Sequence, residues 1–201
     1  LMDRTKNRPL VTGKMSRQEA YILATLSGII GISILWYFLN PLSGILGIFA
    51  LFIYVLIYTP LKQISPWAVF VGAFPGAIPP MLGYVAYTGQ FGLEAGLLFA
   101  LQFMWQFPHF WAIAWKADED YKKAGFRLLP SKGGKDQSSA FLILLYTLFM
   151  ILVSMLPLAF KLTGPISSVF FLIGGLLMLY PSINLFLSLI HISEPTLSLI
   201  H

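Results

Sequence analysis

Six long apolar stretches fill most of this sequence, and they limit the folds that the chain can adopt. We place them at about residues 19–39, 43–59, 67–88, 93–115, 139–161 and 165–189. Each is close to the roughly 20 residues that an α-helix needs to cross a bilayer. Hydrophobic residues make up 57% of the chain and charged residues only 10%, which excludes an ordinary soluble domain. The sequence therefore predicts an all-α, polytopic membrane helix bundle that forms a single domain over residues 1–201.

Positive charges are distributed unevenly between the connections of the predicted spans. If six spans cross the membrane in turn, residues 1–18, 60–66, 116–138 and the C-terminal tail share one side. All but one of the 13 Lys and Arg residues lie in these segments, and the exception is Lys161. Basic residues concentrate on the cytoplasmic side of a membrane, or on the matrix side in a mitochondrion. We therefore expect the three basic segments to meet at that face.

Polar residues form a stripe along one face of the fourth span and of the charged segment that follows it in the sequence. Its members are spaced by four, three, seven and four residues, which places them on one side of a helix. They are Gln102, Gln106, His109, Lys116 and Asp120. Polar groups at membrane depth usually face a bundle interior or a wet cavity, and Pro108 is expected to kink the helix beside them. We expect this helix to form one wall of a site that opens at the membrane surface.

Two local features predict how neighbouring spans are built. Asn40-Pro41 predicts a very tight turn, so that the first two spans form an antiparallel hairpin. The third span contains the pair Gly72 and Gly76, a spacing that permits close contact between membrane helices. It also contains three prolines, which predict a broken or bent helix. They are Pro75, Pro79 and Pro80.

Each of these polar features can also be explained without any chemistry. A single His in a membrane helix often only bonds to a neighbouring helix, and a charged loop is often a solvated surface. Arg4 and Arg8 of the N-terminal segment could bind phosphate through their guanidinium groups. The five cations of this segment could equally well simply follow the positive-inside rule. They are Arg4, Lys6, Arg8, Lys14 and Arg17. The chain has no Cys, which excludes disulfides and thiolate catalysis.

The predicted site has basic and acidic groups at its mouth and aromatic residues in its interior. Such a site could bind an isoprenyl diphosphate. Cations and carboxylate-bound Mg²⁺ can hold a diphosphate, and apolar helices can hold the tail. Neutralising the diphosphate favours its departure, and a dry cavity protects the carbocation from water. A channel or transporter could present the same features, so these residues alone leave the function open. We expect no nucleic-acid partner.

Several segments of the sequence resemble one family. They are MDRTKNRPL at Met2–Leu10, YTPLK at Tyr58–Lys62, VGAFPGAIPPMLGY at Val71–Tyr84, and WQFPHFWA with DYKKAGFRLLP within Trp105–Pro130. The chain is similar over residues 2–180 to the branch of the UbiA family of intramembrane prenyltransferases that farnesylates haem. The resemblance implies an all-helical bundle of nine membrane spans, about six of which are present here.

The resemblance also implies an activity and a place in the cell. A farnesyl group would pass from farnesyl diphosphate to a vinyl group of haem B, with Mg²⁺, giving haem O and diphosphate. The enzyme would lie in the inner membrane of a bacterial cell with its active site facing the cytoplasm. An association with haem A synthase or with oxidase assembly is a further expectation.

The resemblance assigns roles to residues of this chain. The expected catalytic residues are His109, Lys116 and Asp120. Asp120 is also the expected metal ligand, whereas the neighbouring Asp118 and Glu119 should matter less. The expected diphosphate contacts are Arg4, Lys6, Arg8, Tyr58 and Lys62. The expected acceptor cavity contains Gln102, Gln106 and His109.

Two departures from the family pattern lead to further expectations. The first Asp-rich motif of the family, of the form NxxxDxxxD, precedes the Met that matches Met2. We therefore expect a chain truncated at its N-terminus and inactive by itself. The pentapeptide LSLIH occurs at Leu187–His191 and again at Leu197–His201, so residues 187–201 are expected to be a non-native tail.

Two other functions remain open at this point. One is a related UbiA-type enzyme that prenylates an aromatic acceptor such as a quinone precursor. The other is a non-catalytic membrane protein that binds haem or an isoprenoid. Such a binder would need no diphosphate site, and the His at position 109 favours the haem branch over the other enzymes.

Overall fold

The structure, a computed structural model, describes residues 5–193. Its helices are α1 (Arg17–Ile34), α2 (Pro41–Phe52), α3 (Thr59–Leu61), α4 (Ala68–Thr88), α5 (Leu93–Lys116), α6 (Asp118–Lys123), α7 (Gln137–Ser154), α8 (Leu156–Ala159) and α9 (Pro165–Ser193). Two π-helical segments, Leu35–Leu39 and Ile53–Tyr58, continue α1 and α2. No strand occurs in the described range, and the all-α prediction is confirmed.

Within the described residues, five helical runs are long and apolar enough to cross a membrane. They are Arg17–Leu39, Pro41–Leu61, Ala68–Thr88, Gln137–Ala159 and Pro165–Ile190. The remaining predicted span coincides with α5, which has 24 residues. Its polar stripe, together with Glu94 in its first turn, dilutes its apolar content, and this distinguishes α5 from the other long helices.

The long helices pack in the order in which they occur along the chain. Helix α2 contacts α1 and α4, α5 contacts α4 and α7, and α9 contacts α7. Neighbours joined by short turns run antiparallel, so the connections alternate between the two ends of the bundle. Helix α1 has no buried residue, whereas α4 and α5 lie in the middle of the row.

Asn40 fixes the turn between α1 and α2. Its Oδ1 accepts a hydrogen bond from the Ser43 backbone N–H at 2.8 Å, and Pro41 occupies the first position of α2. Both are favoured at a helix start. The Asn40 Nδ2 donates to the Val85 carbonyl at 2.9 Å, near the end of α4. The predicted tight turn is confirmed, and its Asn also ties the first hairpin to α4.

Helix α4 keeps all three of its prolines inside one uninterrupted helix. Of the two outcomes expected, a broken or a bent helix, the break does not occur. Close packing explains the difference, because α2 and α5 flank α4 and Pro75 is buried. Aromatic rings hold α4 to α5. The Phe70 ring lies 5.8 Å from that of Phe103, which lies 5.2 Å from that of Phe107.

Candidate functional site

The predicted polar stripe does not run along one continuous helix. Helix α5 ends at Lys116, and Ala117 leaves helical geometry with φ −102° and ψ 18°. A new short helix, α6, then begins with three acidic residues. Acidic side chains stabilise the N-terminus of a helix, so this sequence favours a fresh start there. The helix that was expected to carry the whole stripe is therefore interrupted between Lys116 and Asp120.

Lys116 and Asp120 nevertheless line the same space. A cavity of about 650 Å³, which we call the charged cavity, lies at the junction of α5 and α6. Its charged lining residues are Lys116, Glu119, Asp120, Lys123 and Lys135. The Asp120 Oδ1 lies 3.7 Å from the Lys123 Nζ. The break at Ala117 thus gathers two carboxylates and three ammonium groups at one end of α5.

Asp118 lies outside this cavity. It is buried, and its Oδ2 lies 2.7 Å from the Lys122 Nζ one helical turn later. Both acids pair with a Lys of α6, but of the two it is Asp120 that also lines the charged cavity. The greater importance of Asp120 stays a prediction.

A second cavity, of about 470 Å³, lies between α2, α4 and α5. Its wall includes Tyr58 and Gln106, each packed against a glycine of α4. A Cβ on Gly72 would lie 2.8 Å from the Tyr58 ring, and one on Gly76 would collide with the Gln106 amide. Gln106 is 3% exposed, and its Nε2 donates to the Ala73 carbonyl at 3.1 Å. The predicted close contact through the glycine pair is confirmed, and it positions two of the predicted site residues.

Lys62 lies at the end of α3 and contacts the loop that follows α6. Its Nζ lies 5.6 Å from the centroid of the Tyr58 ring and 5.7 Å from that of the Phe126 ring, within range of a cation–π interaction. Tyr58 also shares a small cavity with Tyr121 of α6. Residues from two separate motifs of the family resemblance therefore meet at this point.

His109 and Gln102 take up different surroundings. The His109 ring is half-buried and stacks on Trp105, with centroids 4.2 Å apart and an interplanar angle of 18°. Gln102 lines a cavity of about 300 Å³ between α5, α7 and α9. Gln106 faces α4, so the three residues predicted for the acceptor do not line one common cavity. The twist of α5 and its packing against different neighbours separate them.

Two of the diphosphate contacts predicted in the N-terminal segment lie within the described residues. Lys6 and Arg8 lie exposed in the turns that precede α1. No hydrogen bond or ion pair joins the Arg8 side chain to another of the described residues. Arg4 lies outside the described residues. Of the predicted diphosphate contacts, the structure brings together Tyr58 and Lys62.

The loop before α7 contains functional candidates that sequence reasoning missed. Asp136 accepts hydrogen bonds from the Ser131 hydroxyl at 2.5 Å and from the Ser139 backbone N–H at 2.8 Å. Burial raises the pKa of Asp136, but these hydrogen bonds outweigh burial and hold the pKa below its ordinary value. The loop so fixed brings Lys135 to the charged cavity. An Asp three residues before a Ser, at the start of an apolar run, is a helix-start signal that could have revealed this loop.

The carboxylates of the charged cavity would suit a metal ion that a bound ligand also helps to hold. No group of three or more His, Asp or Glu residues that could hold a metal occurs among the described residues. Mg²⁺ often takes one or two carboxylates and completes its shell with phosphate oxygens and water. Asp120 and Glu119 therefore suit a Mg²⁺ ion that a bound diphosphate helps to coordinate.

Comparison with known proteins gives a consistent assignment. A protoheme IX farnesyltransferase of Flavobacterium psychrophilum is 49% identical over 205 residues, covering 100% of this chain and 67% of that protein. The protein of the same name from Christiangramia forsetii is 51% identical over 191 residues, covering 92% and 63%. That from Koribacter versatilis is 38% identical over 185 residues, covering 92% and 60%. The chain spans about two thirds of the length of these relatives.

No solved structure matches this one. The profile of the UbiA prenyltransferase family, however, matches residues 1–189 of the chain. This match covers all of the long helices described above except the last residues of α9. The chain belongs to the UbiA prenyltransferase family.

Proposed function

We propose that the protein transfers a farnesyl group from farnesyl diphosphate to haem B, giving haem O and diphosphate. The observation that carries the proposal is the charged cavity, where Lys116 and Asp120 lie together at the end of the aromatic-rich α5. Relatives that share up to 51% of their residues with the chain bear the name protoheme IX farnesyltransferase. We also propose that residues 1–201 form part of a single transferase domain.

The diphosphate is assigned to the charged cavity. Lys116 contributes a positive charge. Lys62, which caps α3, lies against Phe126 of the loop that follows α6. Asp120 would hold Mg²⁺, with Glu119 beside it. Bound there, Mg²⁺ would neutralise the charge that develops on the leaving diphosphate. The bond between the farnesyl C1 and oxygen breaks, and the diphosphate departs with the electron pair. C1 bonds to the terminal carbon of the haem vinyl group. A water molecule then adds to the carbocation left on the other vinyl carbon and releases a proton, giving the hydroxyl group of haem O.

The acceptor is assigned to the membrane side of this cavity, along α5. His109 lies about seven residues before Lys116, which is roughly 10 Å deeper along an ideal helix. A stacked imidazole at that depth can hydrogen-bond a haem propionate, ligate the iron, or take up the proton released after the new bond forms. The aromatic rings around it exclude water from the farnesyl carbocation before C1 bonds to the vinyl group. Gln106 supports this wall through its hydrogen bond to α4.

The proposed setting is the inner membrane of a bacterium, with the charged cavity on the cytoplasmic side. The concentration of Lys and Arg at this end of the helices supports that orientation. An association with haem A synthase or with oxidase assembly belongs to the same proposal, because haem O would be passed on from a membrane-bound enzyme.

A pair of substitutions in α6 tests the diphosphate assignment. The assay uses the protein extended upstream of Met2 by the matching part of the Flavobacterium psychrophilum relative, because the first Asp-rich motif is expected there. We expect Asp120→Asn to weaken Mg²⁺-dependent binding of farnesyl diphosphate at least tenfold, since charge-assisted contacts contribute about 1.5–3 kcal/mol. Asp118→Asn is the matched control and should change the affinity by less than threefold. Equal losses, measured by titration calorimetry, would show that the wrong acid was chosen.

A further inference from the structure

Another cavity lies on a different face of α5 from the proposed transferase site. It has a volume of about 470 Å³ and lies between α4, α5 and α7. We call it the aromatic cavity, because its wall includes Trp67, Phe70, Phe107, Trp111 and Tyr146. Its mouth is formed by the loops at residues 65–67 and 130–132. These loops connect membrane helices at the end where the charged cavity also lies, so the mouth lies near one membrane surface.

Trp111, one of the residues that line this cavity, carries an unused hydrogen-bond donor. The residue is only 6% exposed, and its indole Nε1 is buried without a hydrogen-bond partner among the described residues. Buried polar groups in proteins are nearly always paired. An indole N–H can only donate, so the missing partner is an acceptor such as a phosphate or ester oxygen.

Lys132 supplies a positive charge at the mouth of the aromatic cavity. Its side chain is exposed, and no carboxylate of the described residues pairs with it. Among the described residues, no acidic side chain lines this cavity, whereas both signs of charge line the charged cavity. Trp67 lies at the same mouth and is 69% exposed, as is typical of Trp at a membrane–water interface.

We propose that the aromatic cavity binds an acidic phospholipid of the surrounding bilayer. Lys132 contacts the phosphate, the Trp111 N–H donates to a phosphate or ester oxygen, and the aromatic wall contacts an acyl chain. The lone cation favours an acidic lipid over a zwitterionic one, because anionic headgroups attract Lys near the surface. This inference does not rest on the proposed transferase activity.

Native mass spectrometry of the protein, purified in a mild detergent, tests the proposal. Phosphatidylglycerol and phosphatidylcholine with identical acyl chains are each titrated into delipidated protein. We expect one phosphatidylglycerol molecule to remain bound at collision energies that remove phosphatidylcholine. Lys132→Gln should weaken this binding about fivefold, and Trp111→Phe should weaken it about three- to tenfold.

Two substitutions serve as matched controls. Lys161→Gln removes a Lys from the opposite end of the bundle. Trp36→Phe removes an indole N–H from the π-helical segment that continues α1. Both should bind phosphatidylglycerol like the unaltered protein. Because Lys132 is exposed, its substitution leaves the fold intact and decides the matter if Trp111→Phe is unstable. Equal retention of the two lipids, or unchanged binding by Lys132→Gln, would overturn the proposal. Displacement of the lipid by millimolar inorganic phosphate would also overturn it, by identifying a site for a soluble anion.

Discussion

Gly72 and Gly76 leave room for two of the predicted site residues because a glycine has no side chain. The missing Cβ of Gly72 leaves room for the Tyr58 ring, and that of Gly76 leaves room for the Gln106 amide. Because the two glycines are four residues apart, they lie on one face of α4. This face brings a residue from α5 and a residue from the end of the π-helical segment that follows α2 to the same cavity.

Gly76→Ala tests this positioning. The new methyl group would collide with Gln106 and disturb its hydrogen bond to Ala73, so we expect a loss of about 1–3 kcal/mol in the free energy of unfolding. Thermal unfolding in detergent measures the change. Gly83→Ala, on the same helix, is the control, because its Cβ would meet no atom within 4 Å. That control should be neutral or slightly stabilising, since Ala favours helix more than Gly does. A Gly76→Ala protein as stable as the control would contradict the assignment.

His109→Ala tests the acceptor side of the proposed site. In the extended protein we expect haem O formation to fall by about 10²–10⁴, the usual contribution of a proton-transfer group. Binding of farnesyl diphosphate should stay within about twofold, because His109 lies on α5 away from the charged cavity. Product chromatography and titration calorimetry provide the two readouts. A parallel collapse of diphosphate binding would assign His109 to structure, and normal haem O formation would remove it from the site.

At the scale of elements, the connections between the helices determine where the charged side chains lie. The break at Ala117 separates α6 from α5, and the loop before α7 extends from Pro130 to the N-cap Asp136. Ser131, Asp136 and Ser139 hold this loop by hydrogen bonds. The fixed loop presents Lys132 to the aromatic cavity and Lys135 to the charged cavity. One short loop therefore contributes a lysine to the lining of each of the two cavities.

Asp136→Asn should reveal the contribution of this loop to stability. The pKa of Asp136 is lowered in the folded state, so its carboxylate stabilises the protein at pH values above the ordinary Asp pKa of about 3.9. That stabilisation is lost as the pH falls through the lower folded value. We expect the variant to unfold several degrees below the unaltered protein at pH 7. The difference should shrink steadily below about pH 4.

Melting curves between pH 3 and pH 7 measure this difference. Glu119→Gln, which removes an exposed carboxylate from the neighbouring α6, should leave the melting temperature nearly unchanged. The difference in melting temperature between Asp136→Asn and the unaltered protein could instead stay constant over the whole pH range. That result would rule out the carboxylate as the source of the stability.

At the scale of the whole molecule, hydrophobic length and charge placement made the helix order predictable. The positions of α1, α2, α4, α5, α7 and α9 follow from apolar runs whose lengths match a bilayer. The break at Ala117 was not predictable from spacing alone, because three- and four-residue steps continue through it. The separation of Gln102 from Gln106 depends on which neighbour packs against each side of α5. Such contacts between distant segments are not encoded in helical periodicity.

The pairing of glycines with site residues illustrates the same limit. The sequence indicates that Gly72 and Gly76 allow a close approach, but it does not name the side chains that approach them. Trp111 is similar, since its aromatic character predicts burial and its unpaired N–H becomes visible only once α4 and α7 are in place. Sequence therefore predicted the elements, and tertiary packing determined which cavity each site residue lines.

The product of the reaction tests the central claim most directly. The extended protein is incubated in vesicles with haem B, farnesyl diphosphate and Mg²⁺, and the extracted haem is identified by liquid chromatography and mass spectrometry. We expect farnesylated haem from the unaltered protein and from the Lys161→Gln control, and almost none from His109→Ala or Asp120→Asn. If farnesyl instead appeared on a quinone precursor supplied in competition, or if both variants still made farnesylated haem at the normal rate, the account of this site would be contradicted.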